Sequence, residues 1–172
     1  MARTKSPLTT AIDVACTSKA ILQHVQEVDT DDLIKAQVEF CGSHMMRAQM
    51  FVSPMLLGLA LELALKAWIV LDGSKKKPPR GHDLSKLFAS TSETTQNRLK
   101  LRYKKEVAPF YPKVLYSNFG LEDLLSEVRL AFVDWRYSHE VERARLDGSH
   151  MGAVAAMLLS EFESCIVVEK IT

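Results

Sequence analysis

The sequence predicts an all-α protein, an up-and-down bundle of four to five main helices, and three observations carry that expectation. Apolar residues recur at helical spacing, as in Leu121, Leu124, Leu125, Val128, Phe132 and Trp135. No segment alternates polar and apolar residues between turn signals, as a half-buried strand would. Ser53 and Pro54 form a helix-start signal, because a serine can cap and a proline suits the first helical position.

The elements follow in order. Residues 1–10 read as a loose terminus before one domain spanning 11–172. Ile12, Ala15, Ala20, Ile21, Leu22 and Val25 predict a helix over residues 11 to about 28. Asp29, Thr30, Asp31 and Asp32 read as a turn rich in N-cap residues. A second helix is expected over residues 33 to about 51. The Ser53–Pro54 signal then opens a third, ending at Leu71 or Asp72 with Gly73 as C-cap. Residues 73–81 form a basic loop whose prolines, Pro78 and Pro79, exclude a helix. Asp83 caps a short helix containing Lys86 to Phe88. Ser92 or Thr94 opens a charged helix to about Val107, and Pro109 and Pro112 bound a loop. A long helix is expected over 121 to about 142, a turn at Asp147 and Gly148, and a last helix over 151 to about 168. G-S-H-M occurs twice, at 42–45 and 148–151, with no longer repeat around it.

Composition narrows the function. At 172 residues, one domain can bury a core without disulfides or metals. Hydrophobic residues make up 47% and charged residues 25%, an ordinary globular balance. A net charge of +1 supplies no global field for nucleic acid, so attraction must come from local patches. The three cysteines, Cys16, Cys41 and Cys165, are scattered and odd in number, which fits a reducing cytoplasm. The first residues lack the apolar stretch of a secretory signal. The apolar run from Met55 to Leu71 is interrupted by Glu62 and Lys66, so a core helix is expected there and no membrane partner. No His, Asp and Glu set has metal-ligand spacing, and no cofactor is expected.

Three stretches, A-L-E-L-A-L-K-A-W (60–68), R-G-H-D-L-S-K-L-F (80–88) and D-W-R-Y-S-H-E (134–140), in this order and spacing resemble the HEPN superfamily of small α-helical bundles that carry a "GHDL" box. The match covers roughly residues 31–170. The resemblance implies a four- or five-helix bundle, often a homodimer. It implies one of two activities: metal-independent RNA cleavage, as in toxin–antitoxin, abortive-infection and CRISPR systems, or non-catalytic binding of RNA, nucleotides or a cognate protein such as an antitoxin. Catalytic members carry Arg, four to six residues, then His, doubled across a dimer. Here Arg136 and His139 are separated by two residues only. The spacing is met instead by Arg143 or Arg145 with His150.

Metal-free RNA cleavage needs a base for the 2′-hydroxyl, an acid for the leaving oxygen and a cation for the developing charge. Arg136 with His139, or His150 with Arg143 and Arg145, supplies those groups. The bland reading of Arg136 and His139 is a polar clasp, since residues one turn apart share a helix face. Glu62 and Lys66, one turn apart on an apolar helix, are expected to meet, and Glu62 to reach Arg136 or Tyr137. Alternatively both charges run to solvent along a stripe. Asp83 caps its helix. His82 either bonds locally or lines a polar cleft with Arg136 and His139. Lys75, Lys76, Lys77 and Arg80, with Arg98, Lys100, Arg102, Lys104 and Lys105, are solvated charge or a phosphate-tracking surface. Tyr103, Tyr111 and Tyr116 would then stack on bases. Because the Arg–His spacing is short where the motif belongs, the sequence favours a non-catalytic module that binds RNA or a partner protein, in a bacterial defence or stress system. An endoribonuclease is the alternative.

Overall fold

A computed structural model describes residues 6–36, 42–73, 75–111, 119–136 and 147–169; for 28–36, 42–51, 134–136 and 168–169 it describes the backbone alone. The helices are α1 (Pro7–Ala36), α2 (Gly42–Leu71), α3 (Leu84–Ala89), α4 (Glu93–Glu106), α5 (Leu121–Glu127), α6 (Ala131–Arg136) and α7 (Gly148–Glu169), with a 3-10 turn at Ala108–Phe110. No strand occurs among the described residues. The predicted all-α bundle is therefore the fold.

α1 starts four residues earlier than the apolar pattern predicts. Ser6 Oγ accepts the Thr9 N–H at 3.1 Å, and Pro7 takes the position where a missing N–H costs nothing. The helix also continues through the predicted turn at Asp29–Asp32. Those residues cost at most about 0.7 kcal/mol each in a helix, and an equally long partner lies alongside. Ala11, Ala15, Ser18, Leu22 and Val25 are all buried and form one stripe. Ser18 Oγ donates to the Ala60 carbonyl at 2.7 Å; α1 and α2 pack side by side with only five residues between them in the chain, so they run antiparallel.

α2 is one helix where two were predicted, and Pro54 lies inside it. The predicted start at Ser53 is overturned. An interior proline removes one ladder bond and crowds the carbonyl four residues back, a cost of roughly 3 kcal/mol. Burial on every face offsets it: Leu57, Ala60, Leu61 and the whole run from Ala64 to Val70 are buried. Val52–Leu71 and Gly148–Val167 are each long and apolar enough to cross a membrane. In the bundle they form the core, and α7 turns the polar Ser160, Glu163 and Ser164 outward.

Trp68 Nε1 donates to the Leu158 carbonyl at 3.1 Å, while Leu57 lies against Gly148 and Gly152, so α2 and α7 run the same way. Arg98 reaches Cys165 and Tyr103 reaches His150, so α4 runs opposite to α7. The order is up, down, up, down. Both copies of G-S-H-M open a helix, and these two helices are the parallel pair.

Asp72 fastens α2 to α4. Its carboxylate accepts the Ser92 N–H and the Thr95 hydroxyl, each at 2.8 Å. The predicted caps Asp83 and Ser92 both hold their helices, accepting from Lys86 N–H at 3.1 Å and Thr95 N–H at 3.2 Å. The long helix predicted over 121–142 is broken at 128–130 into α5 and α6. Two contacts account for the break. The Arg129 carbonyl accepts the Leu84 N–H at 2.8 Å. The first turn of α6 also presses onto Gly58, where an added Cβ would lie 2.7 Å from the Phe132 nitrogen.

Candidate functional site

A buried ion pair is built on α2. Glu62 and Lys66, one turn apart, meet as predicted, with Lys66 Nζ 2.5 Å from Glu62 Oε1. The other oxygen, Oε2, lies 2.9 Å from His82 Nδ1. The Glu62 side chain is 3% exposed and His82 is 49% exposed, so the carboxylate lies beneath and the imidazole opens outward. Gly81 makes this placement possible. Its φ of +118° belongs to the region that favours glycine, and the space around its missing Cβ is open. Backbone conformation alone therefore demands the glycine.

His82 does not bond locally; its partner lies twenty residues back in the chain, on α2. Its ring also rests on Phe132 of α6, centroids 5.5 Å apart. The Gly81–Asp83 turn thus adjoins the helix that ends at Arg136. The expected contacts of Glu62 with the Arg136 side chain or Tyr137, and the position of His139, lie outside the described residues. So do Arg143 and Arg145.

The geometry assigns the imidazole tautomer. A carboxylate facing an ammonium and a ring nitrogen is an acceptor, so Nδ1 carries the proton toward Glu62. In the neutral ring Nε2 is then the nitrogen that carries the lone pair. Such a nitrogen accepts a hydrogen bond or a proton from a bound hydroxyl.

His150 sits elsewhere and is enclosed. Its ring stacks on Tyr111 at 3.9 Å, and its Nε2 lies 3.0 Å from the Tyr103 hydroxyl. Asp147 caps α7 by accepting the His150 N–H at 3.1 Å. Burial, followed by the charges of Asp123 and Tyr111, pushes the Tyr103 phenol up to about 12. The space beside His150, bounded by Phe119, Leu124, Val128 and Met151, is about 20 Å³. That holds one water and no phosphodiester. The predicted base-stacking role of Tyr103 is overturned, because its ring is wholly buried. Tyr111 is committed to His150, and Tyr116 lies outside the described residues.

The two basic stretches part company. On α4, Lys100 pairs with Glu122 at 2.8 Å and Arg98 with Glu161 at 3.8 Å. Arg102 pairs with Glu106 and Glu161. Three of the five cations on α4 are thus paired, while Lys104 and Lys105 are exposed. Lys75, Lys76, Lys77 and Arg80 are exposed and have no ion pair among the described residues. This loop runs directly into His82. No group of three or more His, Cys, Asp or Glu suited to a metal occurs among the described residues.

Sequence reasoning missed the Glu62–His82 contact and the Asp72 clasp. A buried glutamate and a histidine after glycine were visible, but their distance in the chain hid the pairing. No family model, curated protein or solved structure matches the chain.

Proposed function

We propose that this chain is a HEPN-like helical module that binds RNA without cleaving it, through the face formed by the loop at 75–80 and His82. The carrying observation is the exposed cation run Lys75, Lys76, Lys77 and Arg80, unpaired among the described residues, leading into a half-exposed histidine. Phosphate binding draws on such cations, because each neutralised phosphate releases counterions. On α4, Arg98, Lys100 and Arg102 are paired within the fold and are poorer candidates. The three stretches that resemble HEPN proteins support the same reading, including a homodimer and a place in a bacterial defence or stress system. A clasp built from Glu62, Lys66 and His82 braces the turn that presents the loop, which supports a binding role.

The test is fluorescence anisotropy with single-stranded RNA over a range of salt. Four loop cations predict a slope of about −3 in log affinity against log salt. Exchanging Lys75, Lys76, Lys77 and Arg80 for Glu should weaken binding at least about tenfold and flatten that slope. Exchanging the ion-paired Arg98 and Lys100 for Gln should do much less. Wild type that binds no RNA at physiological salt would defeat this reading and leave a partner protein as the ligand. Incubation with RNA in EDTA, with His139→Ala and His150→Ala alongside, addresses the endoribonuclease alternative. Cleavage lost in one variant would establish that alternative and name its histidine.

A further inference from the structure

The loop cations are all donors, and donors aimed at phosphate cannot tell ribose from deoxyribose. We infer that His82 Nε2 supplies the missing acceptor: it takes a hydrogen bond from a ribose 2′-hydroxyl and makes the site selective for RNA over DNA. The inference rests on the RNA-binding reading above and names what that site distinguishes.

Three observations carry it. First, the tautomer is imposed from below. Lys66, which only donates, sits on Glu62 Oε1, and His82 Nδ1 sits 2.9 Å from Oε2. A ring nitrogen facing that carboxylate must donate, which leaves Nε2 unprotonated in the neutral ring. Second, the ring is held in one orientation by Glu62 at one edge and by Phe132 at 5.5 Å. A fixed acceptor selects among ligands, while a swivelling one presents either edge. Third, the ring is half exposed and follows directly on the exposed cations Lys75 to Arg80. Asp83, the next residue, has its Oδ1 taken by the Lys86 N–H and its Oδ2 3.9 Å from Lys86 Nζ, so its carboxylate is turned toward α3. The 2′-hydroxyl is the group on a nucleic acid that both separates RNA from DNA and donates a proton.

The test uses the full chain and three probes of one sequence: a short oligouridine, its 2′-fluoro form and its 2′-deoxy form. The 2′-fluoro sugar keeps the ribose shape without an O–H donor. Wild type should bind the ribose probe about three- to tenfold more tightly than either other, the worth of one hydrogen bond. His82→Asn keeps an N–H toward Glu62 and removes Nε2, so it should fold normally and bind all three alike. Glu62→Gln gives an independent arm. The carboxamide oxygen it introduces must accept from Lys66, so the carboxamide N–H₂ faces His82 and the tautomer reverses. That variant should lose the ribose preference with the ring in place. ¹⁵N NMR should place the His82 proton on Nδ1 in wild type and on Nε2 in the variant, a signature that a merely structural role would not produce. Equal binding of ribose and 2′-fluoro probes by wild type, or a preference surviving His82→Asn, would overturn this inference and leave RNA binding intact. Binding of none of the probes would remove the RNA reading and this inference together.

Discussion

Glu62 is the residue on which the polar core turns. It is buried, and it makes contact with Lys66 on one oxygen and His82 on the other. Removing one partner of a buried pair leaves a charge that the interior cannot solvate. Lys66→Met should therefore cost about 3–5 kcal/mol, read by urea denaturation. The double variant Glu62→Leu with Lys66→Met should recover much of that loss. Tyr103 makes a different kind of prediction, because its folded phenol is pushed up to about 12 while an unfolded tyrosine titrates near 10. The folded chain holds that proton more tightly. Its contribution is thus complete below pH 10 and is lost as pH rises from about 10 toward 12. Tyr103→Phe should flatten the fall in stability over that window relative to wild type. Near neutral pH it should cost about 1 kcal/mol through the lost contact with His150.

Two Ser-Pro dipeptides show why helix boundaries resist local reading. Ser6–Pro7 and Ser53–Pro54 carry the same start signal. The first opens α1, and the second lies within α2. A cap satisfies orphan N–H groups only when the chain before it is not helical. Whether it is helical depends here on a long antiparallel partner, which neither dipeptide encodes. The break between α5 and α6 is similar. The apolar spacing of Leu121 to Trp135 is helical throughout, and the interruption comes from contacts with Leu84 and Gly58 on other elements. Gly58→Ala tests this close approach. Its new Cβ would meet the Phe132 backbone nitrogen at 2.7 Å, and backbone cannot step aside as a side-chain end can. Alanine favours the helix by about 1 kcal/mol. The overlap should still prevail, with a net destabilisation of roughly 1–3 kcal/mol seen in thermal unfolding.

Across the whole molecule, charge is sorted by its surroundings. The net charge is +1, yet Arg98, Lys100 and Arg102 of α4 are paired within the bundle while the cations of the loop at 75–80 face solvent. This sorting underlies the proposed RNA face, and the loop and α4 charge exchanges are expected to differ for that reason. The sequence by itself pointed to the all-α class, the apolar stripes, the cap at Asp83, a cap at Ser92 or Thr94, and a meeting of Glu62 with Lys66. All of these depend on residues within a few positions of one another, where helical periodicity and capping act. Only the tertiary structure decided that α2 runs through Pro54, that α5 and α6 separate, that Asp72 fastens α4, and that His82 rests on Glu62. Those outcomes join residues twenty or more positions apart, or depend on a neighbour pressing against a single glycine. Spacing along the chain carries no record of such contacts, because they exist only once packed helices bring the groups within hydrogen-bond reach.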